Sequence, residues 1–187
     1  MKTFWLLLFI PALLIACPDP SKPTLTDDEK VRQALNLTLA AKHYRIHATA
    51  LTEVPGLDDT KYDIEYVAPD RYHVVFSNIS AEVIVIGNQI WGKGSGEAWK
   101  ALGTPNPDPR QLSRPIKAED IVGFKAERYT ASLNCDNYIQ GDPTSLFIRV
   151  CVDRVSGRVT YINLSDDTGG IDNVYDYQTT ITINAPI

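Results

Sequence analysis

The sequence predicts an α+β fold that is mainly β: a curled antiparallel sheet with one long N-terminal helix and short helices over its concave face. After residue 43, apolar and polar residues alternate with a period of two, which is typical of strands. Short turns rich in Gly and Asn separate these runs, and such turns favour hairpins over crossovers. A sheet of about ten or eleven strands is expected to twist and curl into a half-barrel.

The helix is predicted from about Asp27 to Lys42. Thr26 and Glu29 form a Ser/Thr-x-x-Glu capping box, in which the hydroxyl and the carboxylate each accept a hydrogen bond from a free backbone amide. A stripe of residues at helical spacing follows this box and defines the buried side of the helix. Its members are Val31, Ala34, Leu35, Thr38, Leu39 and Lys42, and the polar Lys42 marks its end.

Ten runs fit the strand pattern and predict a meander. They are Tyr44–Leu51, Tyr62–Tyr66, Arg71–Ser77, Glu82–Ile86, Gln89–Lys93, Ala98–Leu102, Gly123–Ser132, Leu146–Asp153, Arg158–Leu164 and Tyr175–Asn184. The proline-rich residues 104–115 break the pattern, because proline cannot donate to a ladder. This stretch is expected to be irregular or to contain one short helix near Arg110, and a further helical turn is expected from Lys117 to Val122.

The N-terminus predicts export. The apolar run Phe4–Ala16 has 13 residues, too few for a membrane span, which needs about twenty. Together with Lys2 it is typical of a signal peptide, residues 1–16. Leu14-Ile15-Ala16-Cys17 resembles the bacterial lipobox, which predicts lipidation of Cys17; a plain signal peptide with a chance cysteine is the alternative. A polar, proline-rich spacer then covers residues 17–25, and one domain covers residues 26–187.

The charge of the exported chain argues against a nucleic-acid partner. The sequence has 18 basic and 23 acidic residues, and residues 1–16 contain only Lys2, so the mature chain is near −6. Nucleic-acid binding needs clustered Lys and Arg. Besides Cys17, the chain contains Cys135 and Cys151. The oxidising space outside the cytoplasm permits a disulfide between them, and two buried thiols are the alternative.

No motif predicts catalysis, a cofactor or a metal. Gly87–Lys93 matches G-x-x-x-x-G-K, but Gly94 follows where a phosphate-binding loop needs Ser or Thr. Ser95 lacks the glycine of a nucleophile elbow. The histidines do not have zinc spacing, and the aspartates around Gly169-Gly170 do not match a calcium loop, so a solvated turn is expected there. These residues are His43, His47, His73, Asp166, Asp167, Asp172 and Asp176.

Several segments are similar to a known family. They are "YDIEYVAPDRYHVVF", "AEVIVIGNQIWGKGSGEAWKAL", "GFKAERYTASL", "IRVCVDRVSGRVTYI" and "YDYQTTITI". With the lipobox and the capped helix, they resemble the LolA-type lipoprotein-sorting carriers and, more closely because of the lipid anchor, the LppX/LprG group of bacterial lipoproteins. The similarity covers about Asp27 to Ile187. Cys135, Cys151 and the insertion-like residues 134–144 have no counterpart in the family pattern.

The resemblance implies a half-barrel around a hydrophobic cavity that takes acyl chains. It implies a protein anchored to a bacterial membrane through Cys17, which carries or presents a lipid, glycolipid or lipoprotein in the envelope. The alternative is a sensor or scaffold module that contacts an envelope protein. Apolar residues on the helix and strands are the predicted cavity lining, with an ordinary core as the alternative. They are Leu35, Leu39, Val74, Phe76, Val83, Val85, Ile90, Trp91 and Trp99.

Overall fold

The computed structural model describes residues 24–52, 59–103, 116–127, 134–142 and 145–186. The predicted signal peptide, Cys17, most of the spacer and the proline-rich stretch with its expected helix near Arg110 lie outside these residues. Within the described chain, eleven strands form one antiparallel sheet that is curled but not closed, with β6 and β7 as its edges. Among the described residues no helix is both long and apolar enough to span a membrane.

The order of the strands in the sheet is β6-β5-β4-β3-β2-β1-β11-β10-β9-β8-β7. It consists of two meanders that meet at the β1–β11 pair. The elements are α1 (Asp27–Leu39), β1 (His43–Thr52), β2 (Thr60–Val67), β3 (Arg71–Phe76), β4 (Ala81–Ile86), β5 (Gln89–Lys93), β6 (Lys100–Ala101), a 3₁₀ turn (Ala118–Asp120), β7 (Lys125–Glu127), β8 (Cys135–Gly141), β9 (Phe147–Asp153), β10 (Val159–Asp166) and β11 (Gly169–Asp176).

The start of α1 is as predicted. The Thr26 N–H donates to Glu29 Oε2 at 2.7 Å, and the Glu29 N–H donates to the Thr26 hydroxyl at 3.3 Å. The helix ends at Leu39, three residues before the predicted end. It ends there because the chain turns at Ala40 to enter β1 at His43, which places the side chain of Ala41 in the core.

Two segments without a clear strand pattern are strands. Residues 134–144, expected to be an insertion, contain β8, and the aspartate-rich segment expected to be a turn contains β11. Gly and Asp are depleted in strands, but β11 pairs with β1 on one side and β10 on the other. A Cβ at Gly170 would lie 2.7 Å from the carbonyl oxygen of Leu164, so the close pairing with β10 requires glycine.

The predicted strand Tyr175–Asn184 is wrong beyond Asp176, where β11 ends. The alternation continues because Ile181 and Ile183 face the sheet without joining it. They are buried against Ile84, and the Arg71 guanidinium donates to the carbonyl of Ile183 at 2.9 Å.

Strand alternation gives the sheet two different faces. The face that packs against α1, here the inner face, carries Ile46, Ile64 and Val74 in one cluster with Val31 and Ala34 of the helix. The opposite, outer face carries charged residues, the C-terminal segment and a disulfide. The disulfide joins Cys135 on β8 to Cys151 on β9, whose Cα atoms lie 5.6 Å apart.

Candidate binding cavity

The half of the inner face formed by β1–β5 is filled with side chains. Ile64 and Val74 are 0% exposed, and Val85 is 1% exposed. Tyrosine rings continue this packing: the centroids of Tyr44 and Tyr66 lie 4.8 Å apart, and those of Tyr66 and Tyr72 lie 5.1 Å apart. Aromatic pairs at such distances contribute beyond the area they bury.

Two further tyrosines connect this filled half to the rest of the domain. Tyr175, on β11, lies 5.9 Å from Tyr44 between ring centroids, and burial raises the pKa of its hydroxyl well above 10.0. Burial also raises the pKa of Tyr177 to about 12, although the hydrogen bond with Thr38 acts in the opposite direction. Both hydroxyls are therefore neutral at physiological pH.

The other half of the inner face lies under α1. Asp28 accepts from the backbone N–H groups of Gly123 at 3.0 Å and Phe124 at 2.7 Å, and Asp27 accepts from that of Ala126 at 2.9 Å. The first turn of the helix is thereby attached to the chain that enters the edge strand β7. The helix and this edge form one wall above β8, β9 and β10.

Two cavities open where this wall ends. The larger, here the inner cavity, has a volume of about 500 Å³ and is lined by Ile116, Asp120, Gln140, Gly141, Leu146, Ile148 and Leu164. The smaller, here the rim cavity, has a volume of about 270 Å³ and is lined by Leu51, Leu146, Leu164, Ser165, Asp166, Thr168, Gly169, Gly170 and Ile171. Leu146 and Leu164 line both, so the two cavities adjoin.

The strand register explains why these residues meet. Gln140 pairs with Ile148, Ile148 with Leu164, and Leu164 with Ile171, so one row of inner-face side chains crosses β8 to β11. Gly141, with φ of +86°, closes the row. A Cβ there would lie 1.9 Å from the carbonyl oxygen of Leu146, so only glycine lets the chain pass at the cavity wall.

The polar groups at the cavities are mainly hydrogen-bond acceptors. The Gln140 Nε2 donates to the carbonyl of Val122 at 2.6 Å, and its Oε1 has no partner within the described part of the chain. Hydrogen bonds from the side chain and backbone of Thr168 lower the pKa of Asp166, which is therefore ionised at neutral pH. Among the described residues that line the two cavities there is no Lys or Arg.

The residues predicted to line a cavity lie in several places. Leu35 packs against the core from α1, while Leu39 is 36% exposed. Five lie on the inner face in its filled half: Val74, Phe76, Val83, Val85 and Ile90. Neither the inner nor the rim cavity is lined by any of them.

The expected placement of Trp91 and Trp99 needs correction. Trp91 pairs with Ile84, and both tryptophans pack with Ile181 and Ile183 on the outer face. Trp91 lies next to Ile90 in β5, so the two side chains point to opposite faces of the sheet.

Sequence reasoning missed the residues that do line the cavities, above all Gln140, Ile148 and Ile171. Gln140 lies in β8, which was not predicted as a strand, and Ile171 lies in the part of β11 before Tyr175, which was expected to be a turn. A weak strand pattern was present, because Ile171, Asn173 and Tyr175 alternate with Asp172, Val174 and Asp176, two of which are charged. The glycines and aspartates of this segment obscured it.

The motifs set aside for catalysis have structural positions. Gly87, with φ of +58°, lies in the turn between β4 and β5, so the segment that matches the phosphate-binding motif begins with a hairpin turn. His47 contacts Asp63 at 2.6 Å, and His73 lies between two glutamates on the outer face. No group of residues that could hold a metal ion is found in the part of the chain that the structure describes.

The architecture defines a class of protein: a curled, unclosed antiparallel half-barrel with a helix on its inner face and space at one end. Solved structures that share it include LppX and LprF. LppX, a lipoprotein of Mycobacterium tuberculosis, superposes with a TM-score of 0.56 at 12% identity, over 84% of this chain and 97% of LppX. LprF from Mycobacterium bovis has a TM-score of 0.57 at 12% identity, over 85% of this chain and 96% of LprF.

These similarities show the fold, and they confirm the LppX-like architecture predicted from the sequence. The sequence matches no protein-family model and no curated protein. The likeness is therefore one of backbone architecture at low identity.

Proposed function

We propose that this domain binds the acyl chains of a lipid, glycolipid or lipoprotein in the inner and rim cavities and carries or presents them in the cell envelope. The observation that carries the proposal is the pair of adjoining cavities at the open end of the inner face, which share Leu146 and Leu164. No covalent step is part of this function.

The size and lining of the inner cavity support the proposal. Its volume of about 500 Å³ lies within the range of about 300–1,000 Å³ typical of ligand pockets. Ile116, Leu146, Ile148 and Leu164 supply an apolar surface, and each methylene buried there would contribute about 0.8 kcal/mol.

The mouth of the cavities gives a ligand access from solvent. Leu146 is 56% exposed and Leu51 is 39% exposed, although both are large apolar side chains. Exposed apolar residues beside a cavity are typical of ligand-binding grooves. A chain that enters between them would cover both side chains, so binding would bury surface on protein and ligand alike.

An anchor at Cys17 completes the proposal. The lipobox-like residues 14–17 and the proline-rich spacer would hold the domain a short distance outside a bacterial membrane. LppX, which shares the fold, is a lipoprotein. The proposed partners are therefore the membrane, through Cys17, and a lipid or lipidated molecule within the cavities.

Photo-crosslinking with the anchored chain tests the proposal. The full-length protein in lipid vesicles is mixed with a diacyl lipid whose chain bears a diazirine, irradiated, digested and analysed by mass spectrometry. We expect labels at Leu146, Ile148, Leu164 and Ile171. In Leu164→Trp the larger side chain should occupy space where the two cavities adjoin and reduce labelling about tenfold, the equivalent of about 1.4 kcal/mol in affinity.

Ile79→Trp is the matched control, because Ile79 is 67% exposed in the turn between β3 and β4 and lines neither cavity. This variant should be labelled like the wild type. Labels spread evenly over the outer face, or equal labelling of both variants, would contradict the proposal.

A further inference from the structure

Asn173 lies in the middle of the inner face and has no hydrogen-bond partner among the described residues. It is 1% exposed, and neither its Oδ1 nor its Nδ2 contacts a donor or acceptor. On β11 it pairs with Ala48 of β1 on one side and with Ile162 of β10 on the other. Its neighbours in the ladder are thus apolar.

The other two buried polar residues of the described chain differ from Asn173. Thr38 donates to the carbonyl of Ala34 at 2.9 Å and accepts from the N–H of Val159 at 3.0 Å, and Asn137 has no buried side-chain atom that lacks a partner. Buried polar groups in native proteins are normally satisfied, so the exception at Asn173 requires an explanation. A leucine at this position would fill similar space without the desolvation cost.

Asn173 lies one step deeper than the cavity wall. Ile171, which lines the rim cavity, is two residues before it on the same face of β11, and the Cα atoms of such residues are about 7 Å apart. Ile171 pairs with Ala50, and Asn173 pairs with Ala48. Asn173 is covered in this structure and lines neither cavity. A ligand chain that extends one residue pair beyond Ile171 along this row would reach it next.

We propose that Asn173 is the specificity-determining residue of the cavity and hydrogen-bonds a hydroxyl or amide group within the chain region of an amphiphilic ligand. The inference rests on the proposed lipid-binding function. A side-chain amide has donors and an acceptor, and both kinds of atom are free here, so their complement is a ligand group that both donates and accepts. A plain hydrocarbon chain leaves the amide unsatisfied and binds more weakly.

The test measures the binding of photoactivatable alkyl probes to the full-length protein in phosphatidylcholine vesicles. A plain alkyl chain is compared with a series of chains that are hydroxylated at successive carbons. The wild type should prefer one hydroxylated position over the plain chain. Asn173→Leu should lower the affinity for that probe about tenfold and change the affinity for the plain probe by less than about twofold, while raising the thermal midpoint of the apo protein because a desolvated amide is removed.

Ile162→Leu is the matched control, since Ile162 lies beside Asn173 in the ladder, and it should leave the preference between probes unchanged. If Asn173→Leu does not fold, Asn173→Ala is scored in the same way. Equal loss for both probes, or no loss for either, would overturn the role of Asn173, and an ordered water would then account for the free amide. Failure of both probes to label the wild-type cavities would remove the proposed function and this inference together.

Discussion

The Thr38 hydroxyl accepts a hydrogen bond from the backbone N–H of Val159 at 3.0 Å and joins the last turn of α1 to the start of β10. The Tyr177 hydroxyl lies 3.1 Å from the same oxygen and donates to the carbonyl of Val159 at 2.5 Å. Helix, sheet and the chain after β11 therefore meet at one buried hydroxyl, which fixes the helical wall of the inner cavity.

Thr38→Val should destabilise the domain by about 1–3 kcal/mol, because the buried N–H of Val159 loses its acceptor while the volume is kept. Denaturant unfolding measures the loss, and amide hydrogen exchange at Val159 should accelerate. Thr38→Ser keeps the acceptor and should preserve the slow exchange. A Thr38→Val protein as stable as the wild type would show that this contact contributes nothing.

The disulfide should stabilise the β8–β9 hairpin that carries Gln140 and Ile148. Cys135 and Cys151 are separated by 16 residues, and closing a loop of about 15 residues contributes about 3 kcal/mol in the chain-entropy description. The double variant Cys135→Ser/Cys151→Ser should lose about this much free energy of unfolding. Reducing agent should destabilise the wild type and leave the double variant unchanged, which separates loss of the bond from loss of packing.

The C-terminal segment should contribute to stability through Ile183, which is 3% exposed. Ile183→Ala should cost about 2–5 kcal/mol. Trp91 and Trp99 belong to the same cluster, and the remaining tryptophan, Trp5, lies in the predicted signal peptide. Tryptophan emission of the mature protein should therefore shift to longer wavelength in this variant.

Ile79→Ala is the control for that prediction, because Ile79 is 67% exposed. It should change stability by no more than about 0.5 kcal/mol and leave the emission unchanged. An unshifted spectrum in Ile183→Ala would mean that the segment does not shield the tryptophans.

Part of the fold could be predicted because local sequence and tertiary structure agree there. The capping box at Thr26 is the start of α1, and the alternation between Tyr44 and Lys93 gives β1 to β5 within two residues. The choice of face could not be predicted for β4 and β5. Val83 and Ile84 are neighbours on opposite faces of β4, and both are apolar because both faces are covered. Val83 packs against the main core on the inner face, and Ile84 packs against the C-terminal segment on the outer face.

The cavities could not be predicted, because empty space depends on long-range packing. Their wall combines Gln140, Ile148, Leu164 and Ile171 from four strands, and it exists because the register aligns them. The residues predicted from apolar character alone, such as Val74, fill the core at the other end of the sheet. The inward position of Asn173 could not be predicted, since a lone Asn beside glycines and aspartates is typical of a turn.

A ladder of charges crosses the outer face and should make stability depend on pH. Arg45 contacts Glu65, His73 contacts Glu65 at 3.1 Å and Glu82 at 3.0 Å, and Lys93 contacts Glu82 at 2.8 Å. Burial raises the pKa of Glu65, but hydrogen bonds from Arg45 and His73 outweigh it and lower the pKa below 4.5. The hydrogen bond from Lys93 lowers the pKa of Glu82 against a smaller effect of burial.

Because the folded pKa values lie below those of the unfolded chain, this stabilisation is complete above about pH 4.5 and is lost as pH falls through the folded values. Glu65→Gln/Glu82→Gln should lower the free energy of unfolding near neutral pH by on the order of 1 kcal/mol and flatten its fall below about pH 4.5. Urea unfolding at a series of pH values measures both effects. The control is Glu97→Gln, whose Lys100 partner also lies at 2.8 Å but whose side chain is 54% exposed, against 28% for Glu82. A steep acid transition retained in the double variant would place the origin of acid sensitivity elsewhere.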